Sequence, residues 1–513
     1  MNETKYTLLQ KFFGYTEFRE GQGEIIDQLL AGRDAVGIMP TGSGKSICYQ
    51  IPAIMFEGIT VVISPLISLM KDQVQAMTQS GIDAAYINSS LSYYEYNDIL
   101  NAARHGYYKI IYVAPERLNS GNFIEFVINA DVSMVAVDEA HCVSQWGHDF
   151  RPSYLMITDF IAKLKTRPIV CAFTATATSE VRDDIIKILQ LRDPFIKTTG
   201  FDRKNLSFEV VKPKAKMTSL CEILADKKNK CGIIYCLTRK NVEEVCFNLC
   251  ELGFAATRYH AGLSDDERRM NQDDFIYDRK LIMVATNAFG MGIDKSNVSF
   301  VIHYNMPKNI ENYYQEAGRA GRDGSHADCI VLFNEQDVRI NLFLIDNTEP
   351  NPNISPQVQQ EIKNKDYDRL YQMKRYCNLT SCLREYILKY FGDSPPSKCD
   401  NCSNCKKPKT GHLSEITNRK PEFKADELLK RLKELRNQLA KAIDVPAYTI
   451  FTDKILQEMC NKMPRTLNEM NEISGIGTVK LSRYGYKFLK VITSYLNEGV
   501  KSKQAEIDDF WKF

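Results

Sequence analysis

Short apolar runs alternate with amphipathic stretches from about residue 34 to residue 335, and this alternation constrains the fold more than any other feature. Runs that are apolar almost throughout predict strands covered on both faces, and strands that alternate with helices form parallel sheets. The segment 198–211 separates two series of runs, which predicts two sheets in tandem. The runs are TVVISP (60–65), KIIYVAP (109–115), SMVAVDEA (133–140) and PIVCAFTAT (168–176), then CGIIYCLT (231–238), KLIMVAT (280–286), VSFVIHYN (298–305) and DCIVLFN (328–334).

The rest of the chain follows other patterns. Beyond residue 335 the pattern is helical and then rich in cysteine, and a further helical block ends near residue 500. We therefore predict a helical metal-binding module and a small all-α domain after the two α/β domains. The predicted segments are a first sheet domain at 1–200, a second sheet domain at 201–335, the metal-binding module at 336–408, a linker at 409–421, the all-α domain at 422–500 and a tail at 501–513.

The composition is that of a globular chain that dissolves in water. Of the 513 residues, 44% are hydrophobic and 25% are charged, and no apolar run is long enough to cross a bilayer. The first residues lack the apolar core of a signal peptide, and the 15 cysteines are mostly scattered singly, which favours a reducing compartment. We expect a cytoplasmic protein, associated with the nucleoid if it is bacterial. The net charge of +2 neither favours nor excludes a nucleic-acid partner, because a basic groove can exist on a neutral protein.

The sequence MPTGSGKS (39–46) follows the strand-like DAVGI and is typical of a loop that binds nucleotide phosphates. Glycines allow backbone amides to approach phosphate, and the N-terminus of the following helix attracts the anion. Lys45 is expected to reach the terminal phosphates and Ser46 to bind Mg²⁺. The strict pattern has glycine at the position of Met39, so a surface turn before a helix is the alternative interpretation.

Two acidic residues, Asp138 and Glu139, follow the apolar run VAV. Asp138 would hold Mg²⁺ through water, and Glu139 would polarise the attacking water. Adjacent acids at the end of a strand also cap helices, which is the structural alternative. The phosphate-loop motif and the acid pair occur in the order that a nucleotide hydrolase requires, and this order favours the catalytic interpretation.

Two arginines in YYQEAGRAGRDG (313–324), Arg319 and Arg322, are candidates for stabilising the charge on a transferring phosphoryl group. They are three positions apart and would share one face if this segment is helical. A solvated arginine face is the alternative, but the glycines between them would weaken a surface helix. Arginines from the second sheet would place the nucleotide in a cleft between two domains, and closure and opening of that cleft would produce movement.

Three cysteines, Cys399, Cys402 and Cys405, have a C-x2-C-x2-C spacing that is tight enough to clamp one metal ion. Four thiolates indicate structural Zn²⁺, whereas three cysteines so close together also suit an iron–sulfur cluster. The fourth ligand must come from upstream, where Cys377 and Cys382 compete. Five positions apart on a helix, these two side chains point in different directions, so only one of them should serve.

The order of these motifs resembles the RecQ family of DNA helicases in superfamily 2. The resemblance implies two tandem RecA-like domains and an ATP-dependent 3′-to-5′ helicase that acts in recombination and repair. It also favours Zn²⁺ over an iron–sulfur cluster, and Cys382 over Cys377. The resemblance rests on FGYTEFREGQ (13–22), PTGSGKS (40–46), PLISLMKDQ (65–73), APERL (114–118), DEAH (138–141), FTATAT (173–178), YHAGL (259–263), ATNAFGMGID (285–294) and QEAGRAGRDG (315–324).

The same resemblance implies further ligands, partners and site residues. Tyr15, Arg19 and Gln22 would frame the adenine, and Thr174 and Thr176 would link ATP hydrolysis to DNA. ATP and Mg²⁺ are the expected ligands beside Zn²⁺, and single-stranded, tailed or forked DNA is the expected substrate. Recombination or topoisomerase proteins are the expected partners of a monomer. The nucleotide-binding residues are expected to be Tyr15, Arg19, Gln22, Thr41, Gly42, Ser43, Gly44, Lys45, Ser46, Asp138, Gly290 and Asp294.

One of the two tryptophans, Trp146, lies in an aromatic-rich segment directly after the acid pair. In the RecQ family a loop at this place follows the acids, and here it would sense single-stranded DNA. Trp146 and Phe150 would stack on unpaired bases, which tolerates any base sequence. His148 and Arg151 would contact phosphates or base edges and report DNA occupancy to Glu139. An ordinary core contact is the alternative for Phe150.

The chain departs from the family pattern after the cysteines. Only residues 406–423 stand where typical members carry a winged-helix domain. The last helical block resembles the helicase-and-RNase-D-type (HRDC) domain, in which Tyr448 and Lys480 are candidates for DNA contacts, although helix packing explains Tyr448 equally well. The missing domain gives weight to a DNA-stimulated ATPase that remodels or anneals DNA with little unwinding. The intact nucleotide motif disfavours a third class, a non-enzymatic DNA-binding scaffold.

Overall fold

The computed structural model describes residues 3–147, 149–289, 295–349, 355–406, 425–496 and 498. Three predicted site residues, His148, Gly290 and Asp294, lie outside these ranges, as do the predicted linker and tail. The described residues form two compact units. The larger unit contains residues 19–74 and 83–406, and the smaller unit contains residues 3–18, 75–82 and the last helical block.

Thirteen strands and twenty labelled α-helices occur in the described ranges, and a further helical run covers residues 486–496. The strands are β1 (Ala35–Ile38), β2 (Ile59–Ile63), β3 (Ala84–Ile87), β4 (Ile110–Val113), β5 (Val132–Val137), β6 (Ile169–Thr174), β7 (Phe195–Thr198), β8 (Leu206–Val211), β9 (Cys231–Tyr235), β10 (Ala256–Tyr259), β11 (Ile282–Ala285), β12 (Val298–His303) and β13 (Ala327–Leu332). The helices are α1 (Lys5–Leu8), α2 (Gln22–Leu30), α3 (Lys45–Met55), α4 (Ile67–Gln79), α5 (Tyr93–Arg104), α6 (Gly121–Asn129), α7 (Met156–Ala162), α8 (Ser179–Ile188), α9 (Lys216–Ala225), α10 (Arg239–Glu251), α11 (Asp265–Ile276), α12 (Ile310–Ala317), α13 (Glu335–Asp346), α14 (Pro356–Cys377), α15 (Leu383–Tyr390), α16 (Ala425–Ala442), α17 (Ala447–Ile450), α18 (Asp453–Lys462), α19 (Leu467–Asn471) and α20 (Thr478–Lys480). None of the described helices is long and apolar enough to span a bilayer.

Seven parallel strands form the first sheet, in the order β3-β4-β2-β5-β6-β1-β7. Every residue of β1, β2 and β4 is buried, as expected for strands that are covered by helices on both faces. The strands β5, β6 and β1 are neighbours, so their carboxyl ends lie side by side at one edge of the sheet. Ligands of open α/β sheets bind at such an edge.

Six parallel strands form the second sheet, in the order β10-β11-β9-β12-β13-β8. Its central strands are as apolar as those of the first sheet, because helices cover both of its faces as well. The two tandem parallel sheets confirm the fold class predicted from the alternating apolar runs.

A helical module follows the second sheet and packs against it. Its helices are α13, α14 and α15, and the cysteine-rich segment after α15 reaches back to β8, where Cys402 forms an isolated bridge with Phe208. The N–H of Ser403 donates to the carbonyl oxygen of Phe208 at 2.9 Å. The predicted metal-binding module is therefore attached to the edge of the second sheet.

The smaller unit has a core of its own, built from α16 to α20 and the helical run at 486–496, with Leu432, Met459 and Phe488 fully buried. Residues from near the start of the chain belong to this unit. The N–H of Gly475 donates to the carbonyl oxygen of Gly14 at 2.8 Å. A Cβ atom on Gly14 would lie 2.5 Å from the backbone of Ile476, so this close approach requires glycine.

Candidate active site

The predicted phosphate loop connects β1 to α3. Gly42 and Gly44 have φ angles of +80° and +86°, in the left-handed region that glycine adopts readily. α3 begins at Lys45, so its N-terminal amides face the loop, as an anion site requires. The Lys45 ammonium donates to the carbonyl oxygen of Met39 at 3.1 Å. Burial lowers the pKa of Lys45, and the carboxylates of the acid pair oppose this shift.

Two of the three residues expected near the adenine hold the phosphate loop. Nη1 of Arg19 donates to the carbonyl oxygen of Gly42 at 2.6 Å. Nε2 of Gln22 lies 3.0 Å from the carbonyl oxygen of Gly44 and 3.1 Å from that of Ser43, and it donates to both. These bonds hold the carbonyl oxygens of the loop toward Arg19 and Gln22, so the amides of the loop point away from these two side chains. The third residue, Tyr15, belongs to the smaller unit, where its ring lies beside Gly475.

The acid pair lies directly after β5. The N–H of Asp138 donates to the carbonyl oxygen of Ile63 at 2.9 Å, and its carboxylate accepts a bond from the N–H of Glu139 at 3.0 Å. Burial and the neighbouring charge of Glu139 raise the pKa of Asp138 to about 7. Glu139 has a φ of +47°, a left-handed conformation that costs free energy for a residue with a side chain and that recurs at functional sites. Its buried Oε2 has no hydrogen-bond partner in the described ranges, so it is available to orient a water molecule.

A buried histidine links the acid pair to the end of β6. Nδ1 of His141 lies 2.9 Å from Oγ1 of Thr174 and 3.4 Å from Oε2 of Glu139. The Thr174 hydroxyl donates to the carbonyl oxygen of Thr176 at 3.1 Å, so we assign the imidazole proton to Nδ1, from which Thr174 accepts. The N–H of Met39 donates to the carbonyl oxygen of Thr174 at 2.9 Å. The phosphate loop, the acid pair and Thr174 are thus joined.

The two arginines approach the phosphate loop from the second sheet. α12 ends at Ala317, so Arg319 and Arg322 lie in the turn after the helix, and the condition for a shared helical face is not met. A Cβ on Gly318 would lie 2.0 Å from Oγ1 of Thr41, which shows why glycine is needed beside the arginines. Oγ1 of Thr41 and Nε of Arg319 are buried and have no hydrogen-bond partner among the described residues. These unsatisfied polar atoms suit the charged oxygens of a nucleotide phosphate.

The four predicted metal ligands lie together. The Sγ atoms of Cys382, Cys399, Cys402 and Cys405 are all within 4.8 Å of one another. Burial raises the pKa of the Cys402 thiol, but hydrogen bonds from the Leu383 backbone and from neighbouring thiols outweigh it and lower the pKa to about 7. Four converging thiols, of which that of Cys402 loses its proton easily, fit Zn²⁺. Cys377 is not part of this group; it is buried at the end of α14, where burial raises its pKa.

Comparisons with known proteins identify the family. Four family models match, namely DEAD/DEAH box helicase at 19–184, helicase conserved C-terminal domain at 215–324, RecQ zinc-binding at 335–406 and HRDC domain at 425–492. The ATP-dependent DNA helicase RecQ of Bacillus subtilis is 39% identical, over 95% of this chain and 98% of that protein. The chain belongs to the RecQ family of ATP-dependent DNA helicases. The RecQ helicase of Pasteurella multocida is 34% identical, over 96% of this chain and 94% of that protein.

The RecQ zinc-binding match covers the four-cysteine group, so the family comparison agrees with the ligand geometry. Among solved structures, the DUF1998 helicase MrfA bound to DNA has a TM-score of 0.54 with 17% identity, over 77% of this chain and 60% of that one, which supports the fold alone. No winged-helix domain is detected, and only residues 407–424 lie between the zinc-binding and HRDC matches. The alignment with the Bacillus protein spans 589 positions, more than the 513 residues here, so it contains positions that this RecQ chain lacks.

The aromatic-rich loop of this RecQ protein is folded back onto the acid pair. The Tyr154 hydroxyl donates to the carbonyl oxygen of Asp138 at 2.9 Å, and the N–H of Arg151 donates to that of Cys142 at 2.9 Å. Nε of Arg151 also binds Asp149 at 3.0 Å. Direct hydrogen bonds therefore join the loop to Asp138 and to Cys142, three positions after Glu139. Phe150 is half-buried, which leaves both interpretations of it open.

The ring of Trp146 is covered by the zinc-binding module. The Lys365 ammonium, on α14, lies 3.7 Å from the ring centroid, and Nη2 of Arg369 donates to the carbonyl oxygen of Trp146 at 2.6 Å. Lys365 also pairs with Glu180 of α8 at 2.7 Å. One face of the Trp146 ring is thus covered by the Lys365 ammonium.

The candidate DNA contacts of the HRDC domain are engaged within their own unit. The Lys480 ammonium donates to the carbonyl oxygen of Thr449 at 2.5 Å, and burial lowers its pKa to about 8. Tyr448 is half-buried. The Gly-Ile-Gly turn at 475–477 contacts Gly14, so the first of its amides donates to a carbonyl of the protein.

Three residues with contacts at the RecQ site were not found from the sequence. Arg203 binds the phosphate loop, and Lys365 and Arg369 bind the aromatic-rich loop. Arg203 is part of the sequence FDRKN (201–205), which lies in the predicted connector between the two sheets. The positive charge of Arg203 is the feature of the sequence that could have indicated a functional role. The helix that carries Lys365 and Arg369 is strongly charged, and nothing in its pattern distinguishes these two residues from its other cations.

Proposed function

We propose that this protein uses ATP hydrolysis to move 3′-to-5′ along single-stranded DNA and to separate duplex strands in recombination and repair. Membership of the RecQ family supports the helicase activity itself, and the direction and the biological role are the further parts of the proposal. One observation carries the coupling between ATP and DNA: the aromatic-rich loop is hydrogen-bonded to the backbone of the acid pair.

The geometry of the larger unit supports the proposed chemical step. The loop amides and Lys45 bind the phosphates, Glu139 orients the attacking water, and Arg319 and Arg322 stabilise the charge that develops on the transferring phosphoryl group. Mg²⁺, held by Ser46 and Asp138, would neutralise phosphate charge when it is bound. The raised pKa of Asp138 reflects the same cluster of buried negative charge, which a divalent cation would relieve.

The DNA contacts are proposed for the aromatic-rich loop first. Trp146 and Phe150 would stack on bases, and Arg151 would contact the strand once it is released from Asp149. The predicted contacts by Tyr448 and Lys480 remain predictions, as do the role of His148 and those of Gly290 and Asp294. Zn²⁺ at the four cysteines would stabilise the fold of the module that covers Trp146.

Strand displacement tests this function. A short duplex with a single-stranded 3′ tail should be separated in the presence of ATP, whereas the same duplex with a 5′ tail should remain intact. The Glu139→Gln variant is the control, because it keeps the DNA-binding surface and loses the carboxylate that orients water. Separation from the 5′ tail alone would contradict the proposed direction.

A second candidate function is a DNA-stimulated ATPase that remodels or anneals DNA with little unwinding. The short segment 407–424, in place of a winged helix, is the observation that favours it. A series of duplex lengths distinguishes the two functions. The helicase should separate short duplexes with ATP and lose efficiency gradually with length, whereas the remodelling enzyme should hydrolyse ATP without separating even the shortest one.

A further inference from the structure

Arg203 lies in the connector between the two sheets, after β7 and before β8, and its guanidinium group is saturated with hydrogen bonds. Nη1 donates to the carbonyl oxygens of Thr41 at 2.6 Å and Gly318 at 3.3 Å. Nη2 donates to those of Ala320 at 3.0 Å and Gly321 at 2.8 Å. Nε donates to Oδ1 of Asn205 at 3.3 Å. An arginine has five N–H donors, and all five are used.

These bonds determine what Arg203 can do. With every donor directed at an oxygen of the protein, the guanidinium has none left for a phosphate. No carboxylate lies within ion-pair distance of it in the described ranges, so its charge is stabilised by carbonyl dipoles. Burial lowers the pKa of Arg203, but an arginine remains charged inside proteins. Its chemistry suits the alignment of backbone segments.

The two segments that Arg203 joins are the two halves of the hydrolytic site. Thr41 belongs to the phosphate loop of the first sheet, and residues 318–321 form the turn of the second sheet that carries Arg319 and leads to Arg322. Opening of the cleft would break the bond to Thr41, whereas the bonds to the turn lie within the second domain and would persist.

We propose that Arg203 is a positioning residue for ATP hydrolysis, which holds the arginine-bearing turn against the phosphate loop when the two domains close. The inference rests on the proposed function, because it assumes that ATP binds at 40–46 and is hydrolysed there. Arg203 contacts neither the nucleotide nor the water; it acts through the placement of Arg319 and Arg322. A displacement of about 1 Å in such a group costs about 10²-fold in rate.

Neighbouring residues hold Arg203 in place. Nδ2 of Asn205 donates to the carbonyl oxygens of Gly321 and Ser325, both at 2.8 Å. Arg384 donates to Oδ1 of Asp202 at 2.5 Å and to the carbonyl oxygen of Arg203 at 2.8 Å. Arg384 stands two positions after the zinc ligand Cys382, so these bonds connect the zinc-binding module to the connector. The positioning of the turn therefore depends on the module as well.

The test compares Arg203→Ala and Arg203→Lys in the full chain, with the adjacent exposed residue Lys204→Ala as the matched control. ATPase rates are measured at saturating single-stranded DNA, and affinity is measured with a fluorescent ATP analogue. We expect kcat to fall about 10²-fold in Arg203→Ala, with the KM for ATP changed by no more than about threefold. Arg203→Lys should be intermediate, because an ammonium cannot bridge four carbonyls, and guanidinium ions should partly restore Arg203→Ala.

The outcomes distinguish a failure of this inference from a failure of the proposed function. Equal kcat for Arg203→Ala and Lys204→Ala would overturn it. Loss of analogue binding in both Arg203 variants would also overturn it, since Arg203 would then be part of the fold of the phosphate loop. Zinc content and melting temperature equal to those of Lys204→Ala establish that a slow variant is folded. A wild-type chain without DNA-stimulated ATPase activity would instead refute the proposed function.

Discussion

Replacing Lys365 with Met should make the protein respond to lower concentrations of single-stranded DNA. The Lys365 ammonium covers the ring of Trp146 at 3.7 Å, and a base that stacks there must displace it. At this partly exposed position the cation–ring contact contributes about 0.5–1 kcal/mol. The ion pair with Glu180, whose side chain is 53% exposed, adds little. Loss of this competition corresponds to about a two- to fivefold lower half-activating DNA concentration.

The control for this change is Lys363→Met. Lys363 lies on the same helix, and its side chain is 33% exposed, against 36% for that of Lys365. Lys363 pairs with Asp346 and does not cover the ring of Trp146. It therefore reports the general effect of removing one positive charge near DNA. Trp146→Ala should have the opposite effect, because the lost stacking of about 1–3 kcal/mol raises the half-activating concentration at least about fivefold.

The assay is ATPase activity against the concentration of a short single strand at fixed salt. A second readout uses Trp511→Phe as the background, in which Trp146 is the remaining tryptophan, so that its fluorescence reports the removal of the ammonium and the arrival of a base. A half-activating concentration that is higher in Lys365→Met than in Lys363→Met would refute the reasoning. Lys365 would then be a DNA contact.

Five further variants test other parts of the molecule. Glu139→Gln should bind ATP normally and lose turnover by orders of magnitude. Arg322→Ala should also lose turnover, to a smaller extent. Near-normal DNA-stimulated turnover in both variants would show that neither residue belongs to the site. Cys382→Ser should give zinc-poor protein by elemental analysis and Cys377→Ser should retain zinc, and the reverse result would exchange their roles. Lys480→Met tests the predicted DNA contact of this residue: the salt dependence of DNA binding should become weaker, and an unchanged salt dependence would assign the ammonium to Thr449 alone. Since burial lowers the pKa of Lys480 to about 8, its contribution to stability is full above the unfolded value near pH 10.5 and is lost as the pH falls through about 8. Calorimetry should therefore show Lys480→Met gaining relative to wild type as the pH is lowered from 10.5 to 7, and a constant difference would contradict the shift.

Much of the fold could be predicted because its signals are local. A buried parallel strand is apolar throughout, and a phosphate loop needs its glycines within a few positions of its lysine, so both are visible in short stretches of sequence. The two sheets, the family and the order of the domains follow from such stretches. The spacing of Cys399, Cys402 and Cys405 is local as well, whereas the choice between Cys377 and Cys382 depended on which thiol the fold brings to them.

The rest depends on contacts between segments that are far apart in the chain. Arg203 and Thr41 are joined only once both sheets have formed, and no spacing rule connects a connector arginine to a loop carbonyl. The contact of Lys365 with Trp146 likewise depends on how α14 crosses the first domain. The one-face argument for Arg319 and Arg322 assumed a helix, but Gly318 ends α12 and allows the backbone to approach Thr41 instead. Their proximity to the phosphate loop thus has a different cause from the predicted one.

The pairing of residues 11–14 with residues 475–478 has a consequence for biosynthesis. The hydroxyl of Thr478 donates to the carbonyl oxygen of Lys11 across 467 positions, so Thr478 leaves the ribosome only long after Lys11. Domains generally fold as they emerge, and the two sheets can do so without waiting. The segment before Arg19 cannot fold as it emerges, because its partner at 475–478 has not yet been synthesised. A nascent chain that stalls before the HRDC domain would therefore expose residues 11–14 to proteases.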